Sequence, residues 1–202
     1  MKLERIPINE SLGKILAQTL VYQDIKLLKG KIINEEDFNL MAIAGVSSIN
    51  AVTLDNNDIN EREGALQIAT SLAGTGLYLD AKPNGNVDIK AKETGLVMLQ
   101  EGVIEHCNMI SESVTIATRT PFTRISKGER VATVKIIPYA AKTNDVNAIS
   151  CYFKRFINII SVREFRPLKV GLIQTNDIYQ RDALLEKTRE VVKNRLKPIL
   201  SS

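Results

Sequence analysis

The polar residues with the clearest chemical potential follow an apolar segment near the end of the chain. Thr175, Asn176 and Asp177 come after "KVGLIQ", and Asp182 lies at the start of a predicted helix. In open α/β sheets, ligands bind beyond the carboxyl ends of the strands, and the free N–H groups of a helix start can hold an anion. Thr175 and Asn176 could therefore donate hydrogen bonds to a phosphate, and Asp177 could bind Mg²⁺. Asp182 has a second interpretation, as the N-cap of the helix.

His106 and Cys107 have the side-chain types of a base and a thiol nucleophile. Adjacent positions on a helix point roughly 100° apart, so the two side chains rarely touch, and we expect both to be structural. Cys151 is the other cysteine, and with one histidine and no Cys-x-x-Cys pair the chain lacks ligands for a structural zinc ion. The alternative, an independent enzyme using this pair, requires a reactive Cys107.

Two other patterns have simpler structural interpretations. The segment "LAGTGLYL" contains two glycines but no following Gly-Lys-Ser or Gly-Lys-Thr, so a turn is favoured over a phosphate loop. The carboxylate pairs Glu35 with Glu36 and Glu61 with Glu63 lie at predicted helix starts. We interpret both pairs as solvated partners of the helix dipole.

Composition indicates a soluble globular protein of one large or two small domains, with 202 residues, 44% of them hydrophobic and 25% charged. The net charge of +4 is spread along the chain, without the basic stripe and interleaved aromatics of a nucleic-acid-binding surface. No apolar run approaches the roughly 18 residues of a membrane span, and the start, "MKLERIPINESLG", lacks the apolar core of a signal peptide. We expect a cytoplasmic protein that binds neither nucleic acid nor membranes.

Residues 1–60 are predicted to form a strand-helix-strand module. "KLERIPI" and residues 15–22 are predicted strands, and Lys29 and Gly30 are predicted to make a turn. Asn34 is a good N-cap for a helix that Gly45 ends. Residues 49–54 then form a strand, and a surface connection follows over residues 55–60.

Residues 61–165 are predicted to form a mainly β unit with flanking helices. The first helix carries Leu66, Ala69, Thr70 and either Leu72 or Ala73 on one side and ends at Gly74. Short β segments separated by turns, such as Asn84-Gly85, follow up to residue 139, interrupted by one helical stretch over residues 101–113. A helix over residues 143–160 has one apolar stripe of Val146, Ile149, Phe153, Phe156, Ile157 and Ile160.

Residues 166–202 read as the incomplete start of an α/β domain. The segment "LKVGLIQT" has the apolar run of a strand covered on both faces. A helix over residues 181–196 follows, and its apolar seam needs a partner. Because an isolated strand and helix cannot bury both faces alone, we expect the chain to form a homo-oligomer.

Taken in order, these segments resemble the molybdenum-insertion proteins of the gephyrin and MoeA-like family. "LLKGKIINEEDFNLMAIAGVSSINAV" is similar to a segment that precedes the molybdopterin-binding domain of that family. "RPLKVGLIQTND" resembles the opening strand of that domain, and "RDALLEKTREVVKNRL" its first helix. Together with "ATVKIIPYA", the strand is similar to a variant group of bacterial molybdopterin-binding proteins.

The chain also departs from the family pattern at the expected site. Asn176 stands where the family commonly has glycine, and Ile178 and Tyr179 replace a Glu-Leu pair. The glycine-rich loop that follows the first helix in the family is absent from this sequence. Magnesium or molybdate chemistry therefore does not carry over directly to this turn.

The resemblance implies an α+β fold, in which a mainly β accessory region with short helices precedes the first strand and helix of an α/β molybdopterin-binding domain. It implies a molybdopterin-binding protein of molybdenum cofactor biosynthesis, acting mainly as a scaffold without a complete active site. The implied ligand is molybdopterin, held near Thr175, Asn176, Asp177 and Asp182, with Mg²⁺ as a further candidate. The alternative is a non-catalytic protein-interaction or oligomerisation module.

Overall fold

The computed structural model describes residues 1–23, 25–82, 84–166, 168–175 and 182–197, which contain both helices and strands. The protein therefore belongs to the α+β class, as predicted. All the strand pairs in its sheets are antiparallel within the described residues.

The N-terminal part combines a small sheet, a hairpin and one helix. Its elements are β1 (Lys2–Pro7), β2 (Ile15–Leu16), β3 (Leu20–Tyr22), β4 (Ile25–Leu27), α1 (Glu35–Ile43) and β5 (Ser48–Thr53). The sheet has the order β1-β5-β2, and β3 pairs with β4. The single strand predicted over residues 15–22 is therefore two strands in two different sheets.

The ends of α1 follow the sequence prediction. The Asn34 side chain accepts a hydrogen bond from the Asp37 N–H at 2.9 Å, and the Asn34 N–H donates back to the Asp37 carboxylate at 3.3 Å. This reciprocal capping box satisfies two N–H groups that a helix start leaves free. Gly45, with φ of 79°, takes the left-handed conformation that ends the helix.

The second part contains most of the strands. Its elements are β6 (Asp58–Asn60), α2 (Glu61–Leu72), β7 (Leu77–Ala81), β8 (Val87–Ala91), β9 (Gly95–Leu99), α3 (Val103–Ile110), β10 (Val114–Thr118), β11 (Arg124–Ile125), β12 (Arg130–Ile136), β13 (Ala140–Lys142), α4 (Thr143–Phe153) and β14 (Ile160–Glu164). One sheet has the order β10-β12-β8-β7 and another β11-β9-β14. This part contains nine strands and three helices among the described residues.

Two apolar clusters form the core, one within residues 6–51 and the other within residues 65–162. The larger cluster takes side chains from both major sheets and from α2, α3 and α4. Because α2 packs on α4 and β12, its buried face is formed by Gly64, Ala65, Ile68, Ala69 and Leu72. The predicted face was partly wrong, since Leu66 and Thr70 are exposed.

Two boundaries differ from the sequence prediction because of strand pairing. Residues 58–60, predicted as a surface connection, form β6 by pairing with β13. The predicted helix over residues 143–160 ends at Phe153, and Asn158 turns the chain with φ of 56° into β14. Val146, Ile149 and Phe153 are buried as predicted, whereas Ile157 is 83% exposed.

The C-terminal segment matches the prediction only in its helix. Residues 168–175 form no strand, and apolar side chains such as Leu168 and Ile173 are exposed. A strand needs neighbours for its N–H and C=O groups, and no strand of the described residues pairs with this segment. The predicted helix is formed as α5 (Asp182–Leu196).

Candidate ligand-binding cleft

A cleft of about 690 Å³ opens between the N-terminal part and the start of α2. Pockets that hold small organic ligands commonly measure about 300 to 1,000 Å³. We call this space the cleft; its lining residues are Ile15, residues 26–32, residues 60–63, Leu66, Gly85 and Tyr139.

Tyr139 connects the two walls of the cleft. Its hydroxyl donates a hydrogen bond to the Ala17 carbonyl of the N-terminal part. The Lys29 ammonium lies 4.9 Å from the centre of its ring, within cation–π range. The Tyr139 backbone carbonyl accepts a hydrogen bond from the Glu61 N–H at 3.1 Å. The start of α2 and the turn after β4 are therefore positioned by the same residue.

The turn after β4 is fixed by backbone geometry. Gly30 has φ of 84°, a left-handed conformation that side chains other than glycine rarely adopt, and its N–H donates to the Leu16 carbonyl at 2.8 Å. The sequence predicted a turn at Lys29 and Gly30, and this prediction is confirmed. It gave no indication that the turn faces the first residues of α2.

Glu61 lies half-buried between two glycine turns. A Cβ at Gly30 would lie 2.9 Å from Glu61 Oε1, and a Cβ at Gly85 would lie 2.7 Å from Glu61 Cγ and Cδ. Both turns therefore pass directly against this side chain. The sequence interpretation placed Glu61 in the first turn of a helix, which the structure confirms, but tertiary packing leaves its side chain half-buried and not fully solvated.

The Glu61 carboxylate is poorly compensated. Neither of its oxygens makes a hydrogen bond or ion pair with any residue that the structure describes. Burial raises the pKa of Glu61 above its usual value, and the charges of Lys29 and Lys135 oppose this shift only in part.

The cleft also combines free cations with apolar surface. Lys26, Lys29 and Arg62 make no ion pair within the described ranges, whereas Lys31 pairs with the buried Asp37. Three of the apolar side chains at the cleft are substantially exposed, namely Leu28 (55%), Ile32 (51%) and Leu66 (40%). The cleft surface therefore presents both positive charge and exposed apolar side chains.

Of the four residues that the sequence predicts to bind a ligand, only Thr175 has a described side chain. Thr175 is exposed, and the neighbouring Gln174 donates from its side chain to the Leu185 carbonyl of α5 at 3.0 Å. Asn176 and Asp177 lie outside the described residues. Asp182 begins α5, but its side chain also lies outside them. Their role in phosphate or Mg²⁺ binding stays a prediction.

The thiol-enzyme alternative has little support. Cys107 is fully buried, and burial raises the pKa of its thiol to about 11, so the reactive thiolate is scarce at neutral pH. His106 points elsewhere and stacks on Tyr152 with ring centres 4.6 Å apart. Over the described ranges, histidine, cysteine and carboxylate side chains form no group of three that could hold a metal ion. None of the helices searched there is long and apolar enough to span a membrane.

Comparisons with protein-family models, with curated proteins and with solved structures found no match to this chain. The function is therefore inferred from the chemistry of the cleft and from the sequence motifs.

Proposed function

We propose that the chain binds a phosphorylated pterin of the molybdopterin class in the cleft and acts as a scaffold in molybdenum cofactor biosynthesis. The observation that carries this proposal is the combination, in one small-molecule-sized space, of free cations with exposed apolar side chains.

Each part of the ligand has a chemical counterpart in the cleft. Lys26, Lys29 and Arg62 could neutralise a phosphate, which prefers charge-assisted hydrogen bonds from such groups. The exposed faces of Leu28 and Leu66 could cover the ring system, as apolar side chains usually line small-molecule sites.

The sequence motif and the cleft coincide. Residues 27–32 open the segment that resembles the molybdenum-insertion proteins, and the same residues line the cleft. The site proposed for the pterin is therefore moved from the turn near Thr175 to the opposite part of the chain. The turn from Thr175 to Asp182 stays a predicted phosphate contact, which the described residues do not test.

A scaffold is favoured over a catalyst by the residues present. The cleft contains neither histidine nor cysteine among its described lining residues, and the buried Cys107 is not a lining residue. The polar groups that remain can bind and orient a ligand.

The proposal is tested by titrating the protein with 6-hydroxymethylpterin monophosphate and following the pterin fluorescence. We expect saturable binding that weakens as salt is added, because ions screen the lysine charges. Lys29→Gln should weaken binding about 10-fold, the effect of losing one charge-assisted hydrogen bond.

Lys154→Gln is the matched control, because Lys154 is exposed at the end of α4 and is not a lining residue of the cleft. It removes the same charge and should leave binding unchanged. An absence of saturable binding, or equal losses in the two variants, would refute the proposal.

An oligomerisation module is a second candidate, favoured by α5. Its described side chains are exposed or half-exposed, and Leu184 is 52% exposed. Size-exclusion chromatography with light scattering distinguishes the two candidates. A stable oligomer that shows no response to the pterin phosphate would favour the module.

A further inference from the structure

Glu61 is the charged residue of the cleft that the fold explains least. Its carboxylate is half-buried and makes no hydrogen bond or ion pair with the described residues, and burial disfavours its charged form. The protein nevertheless places it against two backbone turns that present no side chain, at Gly30 and Gly85.

We infer that Glu61 recognises the 2-amino-4-oxopyrimidine edge of the bound ring, an inference that rests on the proposed function. That edge carries a ring N–H and an exocyclic NH₂ that point the same way. A carboxylate has two oxygens and accepts two parallel hydrogen bonds from such a pair.

The surroundings of Glu61 leave its oxygens to the ligand. Lys29 directs its ammonium over the Tyr139 ring, and no basic nitrogen of the described residues lies within 4.0 Å of the Glu61 carboxylate. The cations can therefore contact the phosphate while Glu61 contacts the ring. A phosphorylated ligand with this edge can pair its phosphate with the cations of the cleft and its ring N–H groups with the Glu61 carboxylate.

Two classes of compound share this edge, the pterins and the guanine nucleotides. The proposed function names a pterin as the ligand. Guanosine monophosphate is therefore the probe that distinguishes a pterin site from a guanine-nucleotide site. Inosine monophosphate lacks only the exocyclic amino group and measures the contribution of the donor pair.

The test measures dissociation constants of 6-hydroxymethylpterin monophosphate, guanosine monophosphate and inosine monophosphate for the native protein, Glu61→Gln and Glu36→Gln. The native protein should bind guanosine monophosphate about 10- to 100-fold more tightly than inosine monophosphate. Glu61→Gln should abolish this preference, because the amide NH₂ would face another donor.

Glu36→Gln is the control, since Glu36 is exposed in the first turn of α1 and is not a lining residue of the cleft. It removes the same charge from a similar helix start and should keep the preference. Thermal unfolding of each variant establishes that it remains folded.

The outcomes separate the two levels of the proposal. Phosphate-dependent binding without a preference for the amino group, or a preference that survives Glu61→Gln, overturns the role of Glu61 and leaves the proposed function standing. Binding of neither nucleotide nor pterin phosphate overturns both. A preference lost in Glu61→Gln supports the inference, and tighter binding of guanosine monophosphate than of the pterin would then overturn the pterin as the ligand.

Discussion

The starts of α1 and α2 have similar sequences, but the carboxylates in their first turns differ in burial and in their partners. The first reads Asn-Glu-Glu-Asp from Asn34, and the second reads Asn-Glu-Arg-Glu from Asn60. In both, the asparagine side chain accepts a hydrogen bond from an N–H in the first helical turn, at 2.9 Å. The difference lies in the carboxylates that follow each cap.

At α1, the buried carboxylate is fully used by the fold. Asp37 is 2% exposed, pairs with Lys31 and completes the capping box. At α2, Glu61 is half-buried and has no such partner among the described residues. The comparison shows that the carboxylate at one helix start is paired within the fold, whereas Glu61 at the other has no such partner among the described residues; we propose that a ligand supplies it.

The largest effect is expected from removing the paired carboxylate. Asp37→Ala should lower the free energy of unfolding by about 2 kcal/mol, because it removes the carboxylate half of the capping box and leaves the Asn34 N–H and the Lys31 ammonium without their acceptor. Urea unfolding measures this change. Glu36→Ala, at an exposed position of the same helix turn, should change stability by less than about 0.5 kcal/mol. Equal effects would show that the pairing of Asp37 is unimportant.

A second paired carboxylate lies just before α2. The buried Asp58 side chain is 2.6 Å from Lys142 Nζ and 2.6 Å from the amino group of Met1. These contacts hold the pKa of Asp58 well below its usual range, Lys142 having the largest effect. A lowered pKa means that ionised Asp58 stabilises the folded state above the unfolded pKa of about 3.9.

Asp58→Asn should therefore lower the free energy of unfolding by about 1 to 2 kcal/mol at pH 7. As the pH falls below about 4, the Asp58 of the native protein becomes protonated, first in the unfolded state, and the difference between the two proteins should shrink. Unfolding curves at a series of pH values measure this. A constant difference down to pH 2 would contradict the role of the Asp58 charge.

The smallest effect, and one of opposite sign, is expected at Glu61. Because burial raises the pKa of Glu61, the folded state holds its proton more tightly than the unfolded state does. Stability contributed by this group should therefore be present below the unfolded pKa and decline as the pH rises toward the folded pKa. Glu61→Gln removes this decline.

At pH 7, Glu61→Gln should leave the free energy of unfolding unchanged or raise it by less than about 1 kcal/mol. Thermal unfolding at pH 4 and pH 7 compares the variant with the native protein. A marked loss of stability would show that Glu61 has a structural partner, and the contrast with Asp37 would disappear.

Local signals in the sequence predicted much of the fold. The cap at Asn34, the helix stop at Gly45 and the buried face of Val146, Ile149 and Phe153 are all confirmed, because each depends on residues close together in the chain. Pairing across long separations was missed. Residues 58–60 form a strand because they pair with residues 140–142. Residues 168–175 form no strand, and no strand of the described residues lies beside them to accept and donate hydrogen bonds.

The candidate site shows the same limit. The sequence directed attention to Thr175, Asn176, Asp177 and Asp182, which remain predictions, and interpreted Glu61 as an ordinary helix-start acid. Leu66 was predicted to share a helix face with Ala69, whereas Ala69 is buried and Leu66 lines the cleft. Neither position has a sequence signal of its own, since both depend on which face of α2 is covered.

The sequence by itself determined the α+β composition, the helix caps and the glycine turns, since these follow from backbone preferences and short-range hydrogen bonds. Tertiary structure alone decided that the turns at Gly30 and Gly85 close on Glu61 and that Tyr139 joins the two walls of the cleft. The physical reason is that desolvation and ion pairing depend on neighbours distant in sequence. Two similar helix starts therefore acquire different carboxylate environments.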